Sequence, residues 1–257
     1  YFRYMKTKKM IGVIGGMGPY AGIDLIKKIL DMTKATSDQE HIPLSLISVP
    51  HLIEDRTAFL LGKSQTNPGI VLSKIAMQLI EQGATIIGMP CNTAHSPSII
   101  AEIKNRIPDK IIFINMIEKV VHYIINEYPK ISKVGVLATS GTLKTRIYND
   151  ELENNGLMTI MLSEDDQMKL VEPSIYNKDY GIKSNSSPVS RKATKGLEKA
   201  ISLLADAGAE TIIMGCTEIP LAINKTHYGP IPLIDSTKVL ASTLILESKS
   251  EKYSLIK

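Results

Sequence analysis

The chain reads as an α/β protein built from two pseudo-symmetric domains, each a parallel sheet flanked by helices. Three observations lead there. Short apolar runs alternate with amphipathic helical periods along the whole chain. The order of these elements repeats at about half the chain length. Its two cysteines, Cys91 and Cys216, fall at the same point of the repeat.

Taken in order, apolar runs predict strands at 10–15, 44–49, 85–89, 111–115, 134–138, 158–162, 211–214 and 231–234. Most are near-continuous rather than alternating, as in a parallel sheet covered on both faces. Between them lie helical periods. Val71, Leu72, Ile75, Ala76, Leu79 and Ile80 share one face before Gly83, and Leu197, Ala200, Ile201 and Leu204 share another before Gly208. Glycine just past a helix accepts the left-handed conformation that closes it. The polar stretch from Lys178 to Ser190 predicts a long loop, a type often functional.

The repeat is visible residue by residue. Ile11-Gly12-Val13-Ile14-Gly15 corresponds to Val134-Gly135-Val136-Leu137-Ala138, and Ile114-Asn115 to Ile234-Asp235. Gly135 lies 123 residues after Gly12, Cys216 lies 125 after Cys91, and Asp235 lies 120 after Asn115. A unit this long indicates a duplicated domain, not a solenoid. Ligands of parallel sheets bind beyond the carboxyl ends of the strands. Four loops sit there: Gly16-Met17-Gly18, the Cys91 loop, Thr139-Ser140-Gly141-Thr142 and the Cys216 loop. Two thiols at equivalent strand ends suggest mirrored acid/base groups able to work on opposite faces of one carbon.

Composition narrows the remaining classes. At 257 residues and 44% hydrophobic content, one or two ordinary domains are expected. The net charge is only +4, and Lys6, Lys8 and Lys9 are the sole cluster, so nucleic acid is not an expected partner. No apolar run approaches the roughly 20 residues that span a bilayer, so no membrane partner is expected either. The basic, aromatic start lacks the apolar region of a signal peptide, and Met5 or Met10 is the expected native start. Two free thiols and no export signal point to a reducing, cytoplasmic setting.

Three motifs have competing readings. Gly16-Met17-Gly18-Pro19-Tyr20-Ala21 fits a dinucleotide-binding turn, but the second strand ends Ser48-Val49-Pro50-His51, without the acid that would hold a ribose. The plainer reading is a turn whose N–H groups approach an anion at a helix start. Cys91 and His95 are too few for zinc, which takes three or four ligands, so no metal is expected. Each cysteine alone could be an inert buried side chain; their pairing in the repeat favours function.

The same residues resemble the cofactor-independent Asp/Glu/hydantoin racemase superfamily, and its aspartate racemases most. Ile14-Gly15-Gly16-Met17-Gly18-Pro19, Asp55-Arg56-Thr57-Ala58-Phe59, Pro90-Cys91-Asn92-Thr93-Ala94-His95 and Gly215-Cys216-Thr217-Glu218-Ile219 carry the resemblance. Ile175-Tyr176 with Gly181-Ile182-Lys183 resembles the substrate-lysine segment more loosely. Glutamate racemases of cell-wall synthesis open with Asp-Ser-Gly where this chain has Gly-Gly-Met-Gly.

The resemblance implies a first domain of residues 1–115 plus 231–257, a second of 116–230, and a site in the cleft between them. It implies Cys91 and Cys216 as the catalytic pair, with no cofactor. One thiolate would take the α-proton while the opposite thiol donates, so their titrations are coupled. Met17, Asn92, Thr93, Thr139, Thr142, Thr217 and Glu218 are candidate substrate-binding residues, with Arg56 and Lys183 for a side-chain carboxylate. Glu218 and His95 are further candidates for tuning the thiols or holding the ammonium group. The expected partner is a small acidic amino acid, aspartate before glutamate, and the expected assembly a homodimer. Relatives that isomerise maleate, decarboxylate arylmalonates or racemise hydantoins stand as alternatives, as does a two-lobed binding protein without catalysis.

Overall fold

The computed structural model describes residues 9–249, so Met5, the Lys6–Lys8 part of the basic cluster and the tail after Lys249 lie outside it. The first sheet holds β1 (Met10–Ile14), β2 (Leu44–Ile47), β3 (Ala84–Gly88) and β4 (Ile112–Phe113) in the order β2-β1-β3-β4, all parallel. The second holds β5 (Lys133–Leu137), β6 (Met158–Ile160), β7 (Thr211–Met214), β8 (His227–Tyr228) and β9 (Ile231–Asp235) in the order β6-β5-β7-β9-β8. Removing the short antiparallel edge strand β8, which no sequence signal indicated, leaves the first sheet's order again.

The expected helices form for the reasons their sequences suggest. Helix Gly69–Glu81 buries Leu72, Ile75, Ala76 and Leu79, and helix Arg191–Asp206 buries Leu197, Ala200, Ile201 and Leu204. Each buried leucine or isoleucine contributes about 1.5–3 kcal/mol. Gly83 and Gly208 follow these helices with φ of 103° and 92°, the left-handed ending expected of them. Residues 178–190 form the expected irregular segment.

One boundary needs correction. Residues 231–235 were expected with the first domain, but β9 pairs with β7 and is the fourth strand of the second sheet. The repeat explains it, since Ile234-Asp235 corresponds to Ile114-Asn115 at the end of β4. Asn115 and Asp235 each cap the following helix through a side-chain oxygen. Those two helices then cross over. Met116–Glu127 packs against Ile147–Asn154 of the second half, and Ser236–Lys249 packs against Pro19–Met32 of the first. Lys28 adds a clamp, bonding Asp24 at 2.5 Å and Asp235 at 2.7 Å. A single apolar cluster therefore runs from Ile11 and Leu25 through Val120 and Leu240 to Val136 and Tyr148. It joins the halves on one side, and the strand ends face a polar cleft.

Candidate active site

The order β2-β1-β3 sends the chain from β1 and β3 to opposite sides of the sheet, which opens a crevice at their carboxyl ends. Gly16–Gly18 and Cys91 occupy that crevice in the first half. Thr139, after β5, and Cys216, after β7, occupy its counterpart in the second. The two crevices meet. Met17, Arg56, Cys91, Asn92, Thr93, Thr139, Lys183, Cys216, Thr217 and Glu218 line one small cavity, with Thr57 and Tyr176. Both cysteines are unbonded and buried. About 10 Å³ of free space lies among these groups, room for one water at most. Arg56, Lys183 and Glu218 also border an adjoining cleft of about 630 Å³, walled by Tyr20, Ile53 and Ser184–Pro188.

Local structure fixes each group. Asp55 caps the short helix Arg56–Leu60 by accepting the Ala58 N–H at 2.8 Å, which places Arg56 at its first turn. Arg56 is 9% exposed. One of its terminal nitrogens donates to the Glu54 carbonyl at 3.3 Å, while its Nε is buried with no hydrogen-bond partner among the described residues. Burial works against this cation, yet neighbouring Cys91 and Asp55 hold its pKa above the ordinary value.

Lys183 follows fully buried Ile182, and its N–H donates to the Ile175 carbonyl at 3.1 Å. It therefore sits at an anchored foot of the long loop. Its ammonium pairs with Glu218 at 3.2 Å and lies 5.6 Å from the Tyr176 ring centre. Burial disfavours its charge, but Glu218, Cys216 and Tyr176 together raise its pKa.

Glu218 is the junction of the site. Oε1 accepts the Lys183 ammonium and, at 3.1 Å, the N–H of Gly18. Oε2 lies 3.0 Å from Cys216 Sγ. The anion approached by the glycine turn is thus a carboxylate of the opposite half. A Cβ on Gly18 would come within 3.1 Å of Oε1, so a larger residue would crowd the contact. Burial opposes ionisation of Glu218, but Lys183, the Cys216 thiol and the Gly18 N–H together hold its pKa below the usual carboxylate value. Burial pushes the Cys216 thiol well above its ordinary pKa, and Glu218 pushes the same way.

The remaining groups tie the halves together. Thr93 Oγ1 lies 2.8 Å from that of Thr142 and 3.3 Å from that of Thr139, and Thr139 and Thr142 are 3.2 Å apart. Thr217 Oγ1 donates to the Pro90 carbonyl at 3.3 Å. Asn92 accepts from the Tyr148 hydroxyl at 2.5 Å and donates to Ser236 Oγ at 3.2 Å, so much of its amide is committed to bracing the Cys91 loop. His95 Nδ1–H donates to the Cys91 carbonyl at 2.9 Å. Its full burial lowers its pKa to about 4 and keeps the ring neutral. Unlike the other candidates, His95 and Thr142 do not line the cavity; His95 holds the backbone of Cys91, and Thr142 reaches the cavity through its bonds to Thr93 and Thr139.

Sequence reasoning missed Thr57, Tyr176, Tyr148 and Ser236. Thr57 and Tyr176 stand within quoted motifs, but no spacing assigns them a place. Burial pushes the Tyr176 phenol up in pKa, and its oxygen lies 3.5 Å from Thr57 Oγ1. Among the described residues no cluster of three or more His, Cys, Asp or Glu is arranged to hold a metal ion. No helix there is long and apolar enough to cross a membrane.

The family model described as Asp/Glu/Hydantoin racemase matches residues 14–244. A relative described as broad specificity amino-acid racemase RacX, from Bacillus subtilis, is 26% identical over 92% of this chain and 96% of its own. The solved structure of an aspartate racemase from Picrophilus torridus superposes with a TM-score of 0.76 at 28% identity, covering 93% of this chain and 94% of that one. A glutamate racemase from Bacillus anthracis, RacE1, shares the fold at a TM-score of 0.62 and 17% identity, over 95% of this chain and 84% of that one.

Proposed function

The chain belongs to the Asp/Glu/hydantoin racemase family and is an amino-acid racemase, and within that frame we propose that it racemises an acidic amino acid, aspartate before glutamate, with Cys91 and Cys216 as its two acid/base groups. One observation carries this reading. Two thiols, one after β3 and one after β7, share a buried cavity with a guanidinium whose Nε has no partner there.

The chemistry follows from that arrangement. One thiolate takes the proton from the α-carbon, leaving the electron pair delocalised into the α-carboxylate. The opposite thiol returns a proton to the other face, which inverts the centre. Charge developing on the α-carboxylate needs preorganised donors; the hydroxyls of Thr93, Thr139 and Thr217 are suited to that, with Thr142 and Asn92 supporting them. Arg56 receives the side-chain carboxylate as a bidentate fork. Lys183 adds a point charge while still bound to Glu218. The 10 Å³ space requires the cleft to part for substrate to enter, and the adjoining larger cleft lies on that path.

Cys91→Ala and Cys216→Ala test the reading. Each is expected to abolish racemisation, while one of them still exchanges the α-proton of a single enantiomer in heavy water. Wild-type activity is expected to persist without added cofactor and after treatment with chelators and carbonyl reagents. Racemisation by either variant near the wild-type rate would remove the two-thiol assignment.

A further inference from the structure

Cys91 and Cys216 occupy equivalent places in the repeat, yet their charged neighbours differ: a guanidinium beside the first, a carboxylate and a lysine beside the second. Arg56 lies against Cys91. Glu218 Oε2 lies 3.0 Å from Cys216 Sγ, in hydrogen-bond range for a thiol. Glu218 cannot turn away readily, because Gly18 and Lys183 both hold its other oxygen. Resting on the two-thiol reading above, we propose that Glu218 is a positioning residue that keeps the pair's shared proton on Cys216 in the resting enzyme, so that the first α-proton is taken by Cys91.

The charges around Cys216 support this direction. A carboxylate at 3.0 Å accepts a hydrogen bond from the thiol but repels the thiolate. Lys183, on the loop, and the Glu218 N–H favour the thiolate, but the ammonium is already paired with Glu218 at 3.2 Å, and burial and the carboxylate outweigh both. Tyr176 and Tyr148 also face Cys216, and burial raises both phenols, so both stay neutral. In the forward step the Cα–H bond breaks and a Cys91–H bond forms. The Cys216–H bond then breaks as the new Cα–H bond forms on the opposite face. The product form of the enzyme carries its thiolate on Cys216 beside Glu218, uphill of the resting form. One enantiomer therefore binds the abundant form and the other the scarce one. The equilibrium constant of racemisation is one by symmetry, so kcat/KM is equal in both directions. The asymmetry appears instead as unequal KM values, with kcat unequal in the same ratio.

The test is a titration without turnover. In the full-length Cys91→Ala protein, Cys216 is the sole thiol, and thiolate absorbance near 240 nm reports its ionisation. Adding Glu218→Gln keeps the side-chain volume and removes the charge. The thiolate midpoint is expected to fall by about one pH unit or more. Glu218→Asp, which keeps the charge, should leave it nearer the Cys91→Ala value. In protein with both cysteines, Glu218→Gln should also bring the KM values of the two enantiomers closer together. An unmoved or raised midpoint in folded Cys91→Ala/Glu218→Gln protein would overturn the role of Glu218, even with both single cysteine variants inactive. Racemisation by a single cysteine variant, with the midpoint still shifted, would instead overturn the two-thiol reading.

Discussion

Acidification from pH 7 to pH 4 is expected to destabilise the protein through His95. The ring is 4% exposed and its pKa is lowered from 6.5 to about 4, mainly by burial. The unfolded chain therefore binds a proton that the folded chain refuses between these values. Stability rises with pH wherever the unfolded state holds more protons. This group's contribution is thus intact above pH 6.5 and lost as pH falls toward 4. With 1.36 kcal/mol per pKa unit, the loss is about 2 kcal/mol at pH 5 and about 3 kcal/mol at pH 4. His95→Gln cannot titrate but retains a polar group near the Cys91 carbonyl. The assay is urea denaturation of wild type and variant at pH 7, 5 and 4. Other groups titrate in both proteins and cancel in the difference. At pH 7 the wild type should be the more stable, and its advantage should shrink by about 3 kcal/mol at pH 4. A difference that stays constant with pH would refute the buried, neutral imidazole.

Two further outcomes follow from other contacts. Arg56→Ala should cost about 2–5 kcal/mol in kcat/KM for aspartate, roughly thirty-fold to several thousand-fold. Discrimination against asparagine should relax with it, and Arg56→Lys should restore only part because the fork is lost; an unchanged aspartate-to-asparagine ratio would place charge recognition elsewhere. Tyr148→Phe leaves the buried Asn92 oxygen without its donor and should lower unfolding stability by about 1–3 kcal/mol; a denaturation midpoint unchanged from wild type would show that this bond contributes little.

Much of the architecture follows from short-range sequence signals. Apolar runs such as Ile86-Ile87 and Ile212-Ile213, each just after a helix-ending Gly83 or Gly208, read as buried strands. Repetition of that order identified the duplication and singled out Cys91 and Cys216 as counterparts. The Asp55-Arg56 motif gave its carboxylate-binding candidate only through its resemblance to the racemase family; the Asp55 cap that places Arg56 is seen in the structure. The destination of β9 was a different matter. Its apolar pattern suits either sheet, and pairing with β7 is decided by the path of the chain through the second half. Likewise, nothing near Tyr148 indicates that its hydroxyl reaches Asn92, or that Ser236 completes the same brace. The approach of Arg56 to Cys91 and the pairing of Lys183 with Glu218 also emerge only in three dimensions. Arg56 is 35 residues from Cys91 in sequence, and Lys183 is 35 from Glu218. Sequence periodicity reports which face of an element is buried. Which charges meet across a cleft depends on the packing of elements far apart in the chain, which local pattern does not encode.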